Sequence, residues 1–154
     1  MWLYLNFDGV LHPNHLSYRS GSSPVLTCPG HTSLEYVGML AEALDDRPDI
    51  TVILNTWWTY YLTTDRCIQL LPSSVARLVS GATLQRAVAG EPLPHRLREA
   101  EKHIAGGSDL PLLVLDNKAA RYRRALLPYL LLVDEESGLS SPAAIRALKR
   151  RVRD

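Results

Sequence analysis

Trp2 to Phe7 is a short apolar run ending in Asp8 and Gly9, the pattern of a buried strand followed by a tight turn. Residues 11–31 mix His, Pro, Asn, Ser and Gly with little periodicity, which predicts a loop or flap. From Ser33, a candidate helix cap, Leu34, Val37, Met39, Leu40, Ala43 and Leu44 recur at helical spacing until Asp45-Asp46-Arg47-Pro48 stops them. Ile50 to Leu54 is β-branched and apolar, a second strand running into Asn55 and Thr56. A helix follows from Tyr60 to Leu71, closed by Pro72, then a short helix over Ser73 to Arg77 and a brief third strand at Leu78-Val79.

Glu91 to Pro94 is a turn, and Arg96 to Ile104 is a helix closed by Gly106 and Gly107. Leu112 to Leu115 is a fourth strand ending in Asp116-Asn117, and a helix from Ala119 to Leu127 leads to a fifth strand at Leu130 to Val133. Ser141 to Arg153 is a terminal helix with Pro142 in its first turn. Strands alternating with helices predict a mostly parallel five-stranded sheet covered on both faces. Ligands of such sheets bind beyond the carboxyl ends of the strands. Three strands end there in polar groups: Asn6 and Asp8, Asn55 and Thr56, Asp116 and Asn117. Each pair alone is ordinary strand-end chemistry. Together they argue for a site.

Composition narrows the class. The chain has 154 residues, the size of one domain, and the expected organisation is a single domain over 1–154. Its 17 Lys and Arg against 16 Asp and Glu leave +1, which excludes a histone-like or polybasic protein but not a local basic patch. No apolar run approaches the roughly 18 residues of a membrane helix. The first residues lack the pattern of a signal peptide, so the expected compartment is cytoplasmic, with no membrane partner. Cys28 and Cys67 show no metal-ligand spacing, and His31, His95 and His103 have no partner at ligand spacing.

Acidic groups from separate strands that meet at one sheet edge suit a hard cation such as Mg²⁺. A hydroxyl at the next strand end suits a phosphoryl oxygen, and an acid two residues from the first position suits proton transfer to a leaving group. The residues that carry this chemistry also carry a resemblance. Leu5-Asn6-Phe7-Asp8-Gly9-Val10-Leu11-His12-Pro13 resembles the first motif of haloacid dehalogenase-like (HAD) phosphatases, Asp-x-Asp-Gly. Asn55-Thr56-Trp57-Trp58 resembles the second motif, and Leu113-Val114-Leu115-Asp116-Asn117 the fourth. Leu70-Leu71-Pro72, Val79 to Thr83 and Val133 to Ser140 look like the small HAD domains found alone or in Swiss Army Knife RNA repair proteins.

The resemblance implies a three-layer Rossmann-like fold and a Mg²⁺-dependent phosphomonoesterase working through an aspartyl-phosphate at position 6. It implies Asp8 as general acid/base with its carbonyl facing the metal, and Asp116 as a metal ligand beside position 6. Thr56 matches the phosphate-binding hydroxyl, with Asn55 the alternative after a one-residue shift. Arg96 matches the third-motif cation, with Lys102 the alternative. Neither gap between motifs holds a cap domain, so the site is open to a nucleotide or nucleic-acid end, or to a small substrate enclosed by an oligomer partner.

One position departs from the pattern. Position 6 is Asn, whose delocalised amide is a very poor nucleophile. The change is either engineered or natural; slow deamidation, the third route, is disfavoured by the bulk of Phe7. With Asn6 the chain is expected to be nearly inactive as a phosphatase, and the alternative function is a non-catalytic phosphate- or nucleic-acid-binding module. Trp57, Trp58, Tyr60 and Tyr61 stack on bases if they face the cleft and otherwise pack the core. Lys118, Arg121, Arg123 and Arg124 either draw in a polyanion or form a solvated face. His12 and His15 lie on the flap, within reach of a substrate.

Overall fold

The computed structural model describes residues 1–107 and 109–154. Five strands form one sheet: β1 (Trp2–Leu5), β4 (Thr51–Leu54), β5 (Val79–Ala82), β6 (Leu112–Asn117) and β7 (Leu130–Val133). Their order is β5-β4-β1-β6-β7 and every pairing is parallel. The central strand β1 pairs with β4 on one side and β6 on the other, so the chain reverses its direction of travel across the sheet at β1. That switch point is where an open α/β sheet leaves a crevice for a ligand.

Alternation along the strands divides the core in two. Leu3 and Leu5 of β1, Val52 and Leu54 of β4, and Leu113 and Leu115 of β6 face the larger cluster. Helices α1 (Val37–Ala43), α3 (Thr64–Gln69), α4 (Ser73–Ala76) and α6 (Pro142–Arg153) cover it with Leu40, Cys67, Val75, Leu148 and Val152. On the other face Tyr4, Ile53 and Val114 form a thinner cluster against Trp2, Ile104 and Tyr122. Ile104 belongs to α5 (Arg96–Ala105), and the neighbouring His103 accepts or donates a 2.8 Å hydrogen bond with the Tyr4 hydroxyl. Helices on both faces of a parallel sheet, with no inserted cap domain among the described residues, agree with the expected architecture.

Four local expectations need correction. The predicted flap contains a two-stranded antiparallel ribbon, β2 (Leu16–Ser17) with β3 (Val25–Leu26). The helix expected from Ser33 starts only at Val37, because Leu34 adopts a left-handed φ of 59° while its N–H donates to His12 Nδ1 at 3.0 Å. The helix expected over Tyr60 to Leu71 is two pieces, α2 (Trp58–Tyr61) and α3, separated where Thr63 turns extended and accepts the Arg66 N–H at 3.1 Å as an N-cap.

The fourth concerns the segment after β6. No α-helix forms over Ala119 to Leu127; a loop leads into a 3₁₀ turn at Arg124–Tyr129. Asn117 Oδ1 captures the Ala119 N–H at 2.9 Å, and Tyr122 reaches back to Asp116, so side-chain bonds take the place of a first helical turn.

Candidate active site

Strand ends β1, β4 and β6 deliver the polar groups to one edge. Asn6 continues the β1 ladder, its N–H donating to Leu115 O at 3.1 Å. The chain then turns tightly: Leu11 N–H donates to Phe7 O at 2.8 Å and Gly9 N–H to His12 O at 2.9 Å. The turn sets Asp8 and His12 against each other. Gly9 is needed for it, with φ +74° and a position where any Cβ would lie 2.6–2.8 Å from Asn117 side-chain atoms.

Asp8 is 4% exposed, and its carboxylate is held from three directions. His12 Nε2 and the Trp58 indole N–H both donate to Oδ1, at 2.9 and 2.8 Å, and the Tyr18 hydroxyl donates to Oδ2. His12 is fully buried, and because its Nδ1 accepts the Leu34 N–H, the ring hydrogen sits on Nε2, facing Asp8. Burial, then the Asp8 charge and hydrogen bond, push the Tyr18 phenol far above its ordinary value, so it remains a donor.

Asp116 is more completely bonded still. Oδ1 accepts Asn6 Nδ2 and the Asn117 backbone N–H, each at 2.8 Å; Oδ2 accepts Arg96 Nη1 at 2.9 Å and the Tyr122 hydroxyl at 2.6 Å. A carboxylate offers about four lone-pair sites. All four are used. Burial opposes the Arg96 charge, but Asp116, Tyr122 and Asp8 together hold the guanidinium above its ordinary value. Burial first and the Asp116 charge second raise the Tyr122 phenol well above its normal range. The Asp8 carbonyl accepts Asn6 Nδ2 at 3.0 Å and Asn117 Nδ2 at 2.9 Å, while the Asn6 Oδ1 is buried with no partner.

These groups open onto a cavity of about 400 Å³ lined by Asn6, Asp8, Asn14, Tyr18, Trp57, Asn117 and the Pro94–Leu97 entry to α5. A family model described as the HAD domain in Swiss Army Knife RNA repair proteins matches residues 2–144. The chain belongs to this family. Comparison with curated proteins and with solved structures gave no match.

Placed on the HAD domain, the expected residues separate into two groups. Asn6, Asp8, Asp116 and Arg96 meet at the sheet edge, and Arg96 is the cation that reaches it. Lys102 does not: its side chain is 74% exposed and pairs with Glu99 on the outer flank of α5. Neither Thr56 nor Asn55 is among the cavity-lining residues. Both are fully buried, Thr56 Oγ1 accepting the Trp58 N–H at 3.3 Å, Asn55 donating to Tyr122 at 2.8 Å and accepting from Thr83 at 3.3 Å. They brace the site rather than face its cavity. His15 turns outward to Glu136.

HAD domains generally use Mg²⁺, and the resemblance assigned it to Asn6, the Asp8 carbonyl and Asp116. Of that set as arranged only Asn6 Oδ1 is without a partner, which leaves the ion a single free ligand and does not fit it. Both lone pairs of the Asp8 carbonyl and all four of Asp116 are engaged by N–H and O–H donors. Among the described residues no group of three or more His, Cys, Asp or Glu is arranged to hold a metal.

Trp58 as a donor to Asp8, Tyr18 and Tyr122 were not legible beforehand, and Asn117 was legible only as a strand-end polar group. Trp58 stands beside the second motif and Asn117 beside Asp116, so adjacency was the available signal. Tyr122 lay in a segment whose apolar spacing read as helical, and nothing in the sequence marks it.

Proposed function

We propose that this HAD domain binds a phosphomonoester end of a nucleotide or nucleic acid and retains it without hydrolysis. The observation that carries the reading is Asn6: an amide stands at the nucleophile's position of a phosphatase-family domain, bonded to the Asp8 carbonyl and Asp116. An amide nitrogen bonded to Asp8 and Asp116 has no free pair to attack phosphorus, so the covalent step is closed.

The same substitution favours retention. One negative charge about 4 Å from a bound phosphate costs on the order of 4 kcal/mol per unit charge at a surface-like dielectric, and a neutral amide removes that repulsion. The side-chain oxygens of Asp8 and Asp116 engage seven donors between them. Arg96 and the N-terminus of α5, which His95 caps, line the cavity and favour an incoming anion.

The volume supports an end rather than a whole polymer. About 400 Å³ lies in the range of small-ligand sites, roughly 300–1,000 Å³, and accommodates a phosphate with part of its nucleoside. Trp57 is partly exposed on the cavity wall, which supports stacking on a base, while Trp58 is core and committed to Asp8.

The test is hydrolysis of p-nitrophenyl phosphate in Mg²⁺ by the native chain and by Asn6→Asp. The native chain is expected to show no turnover and the variant to gain it. Turnover by the native chain that Asp8→Asn removes would overturn the proposal.

A further inference from the structure

Asn6 Nδ2 lies 3.0 Å from the Asp8 carbonyl and 2.8 Å from Asp116 Oδ1, and donates one hydrogen to each. These are two buried oxygens from separate strand ends that repel one another unless something positive stands between them. The amide could in principle be turned over, since nitrogen and oxygen have the same shape. Turned, Asn6 Oδ1 would confront both oxygens at the same distances with no hydrogen between, so the orientation with nitrogen inward is the one the site enforces.

Asn117 Nδ2 completes the Asp8 carbonyl and Arg96 completes Asp116, supplying a full positive charge at 2.9 Å. Three carboxylates at this edge would need a divalent ion to hold them together. Two carboxylates, two amides and one guanidinium do not.

We infer that the Asn6 amide, with Asn117 and Arg96, takes the place of the divalent cation, so that the site is assembled and binds its phosphate ligand without metal. The inference rests on the phosphate-binding reading for the ligand, but its metal arm stands on the Asn6 contacts alone. Placing a carboxylate at position 6 reverses the arrangement. The Asn6→Asp variant loses both N–H donors, three oxygens converge, and the edge then requires a cation.

The experiment is a Mn²⁺ titration followed by electron paramagnetic resonance, with melting in EDTA and in millimolar Mg²⁺, on the native chain and on Asn6→Asp. The native chain is expected to bind no Mn²⁺ at a one-to-one site and to melt at the same temperature in both media. Asn6→Asp is expected to melt several degrees lower in EDTA, to recover in Mg²⁺, and to bind one Mn²⁺ per chain. If the variant does not fold in EDTA but folds in Mg²⁺, the inference is equally supported.

Stoichiometric Mn²⁺ binding by the native chain, lost in Asp116→Asn, would overturn it. A phosphorylated oligonucleotide titrated in EDTA separates this from the functional proposal. Binding only when Mg²⁺ is added sinks the metal-free inference and leaves the ligand reading intact. A native chain that binds neither Mn²⁺ nor the phosphorylated end sinks the ligand reading and leaves the metal-free edge intact.

Discussion

Arg96 shows how one side chain can hold a site together. Among the described residues it is the only guanidinium on Asp116, which is itself fully buried, and the same Nη1 donates to Asn55 O at 3.0 Å, tying β4 to β6. Removing one member of a buried pair leaves the other charge uncompensated, typically at about 3–5 kcal/mol. Arg96→Met is therefore expected to lower unfolding free energy by about that amount in urea titration. A loss under about 1 kcal/mol would show that Tyr122, Asn6 and Asn117 satisfy Asp116 without it. Lys102→Met, on the exposed flank of the same helix, is expected to change stability little, as surface pairs do.

At the scale of elements, the strands of the parallel sheet were legible and the connections, with the β2–β3 ribbon among them, were not. Buried parallel strands are short apolar runs whose polar ends mark the sheet edge, and Trp2–Leu5, Thr51–Leu54 and Leu112–Asn117 all fell where that signal put them. The chemistry at their ends was legible for the same reason, since Asn6, Asp8 and Asp116 are tied to the strands. Segments whose geometry is set by a distant side chain carried no such signal. Leu34 bends for His12, the 118–123 loop bends for Asp116, and neither partner is local.

The turn after β1 is the most demanding connection, because it must bring the Asp8 carbonyl to Asn117. Gly9→Ala is expected to cost about 1–3 kcal/mol from its left-handed backbone and to push Asn117 off that carbonyl. Urea denaturation with an amide-resolved nuclear magnetic resonance spectrum checks both; an unchanged Asn117 side-chain resonance would show that the turn has slack.

Over the whole molecule, burial leaves a signature at alkaline pH. Burial holds the Cys67 thiol up at about 12 against an ordinary 9.0, and the Tyr4 phenol at about 12 against 10.0. Both groups are neutral when protonated, and the folded state binds the proton more tightly than the unfolded one. Their contribution is thus complete below the unfolded values and is lost as pH rises toward the folded ones. Tyr18 and Tyr122, raised further, act in the same direction. The melting temperature is expected to fall steadily above about pH 9, where unfolded Cys67 begins to ionise. A flat profile from there to about pH 11 would mean that these groups open to solvent.

No described helix is long and apolar enough to cross a membrane, and among the described residues no cap domain stands over the edge. The cavity of about 400 Å³ beside Asn6 and Asp8 is where the proposed ligand is tested. The decisive measurement is the affinity of the native chain for a labelled RNA oligonucleotide carrying a terminal phosphate, against the same oligonucleotide ending in a hydroxyl. Tighter binding of the phosphorylated end is expected, weakened by Arg96→Met, with the phosphate recovered intact. Equal affinity for the two ends, or release of inorganic phosphate by the native chain, would contradict the proposal.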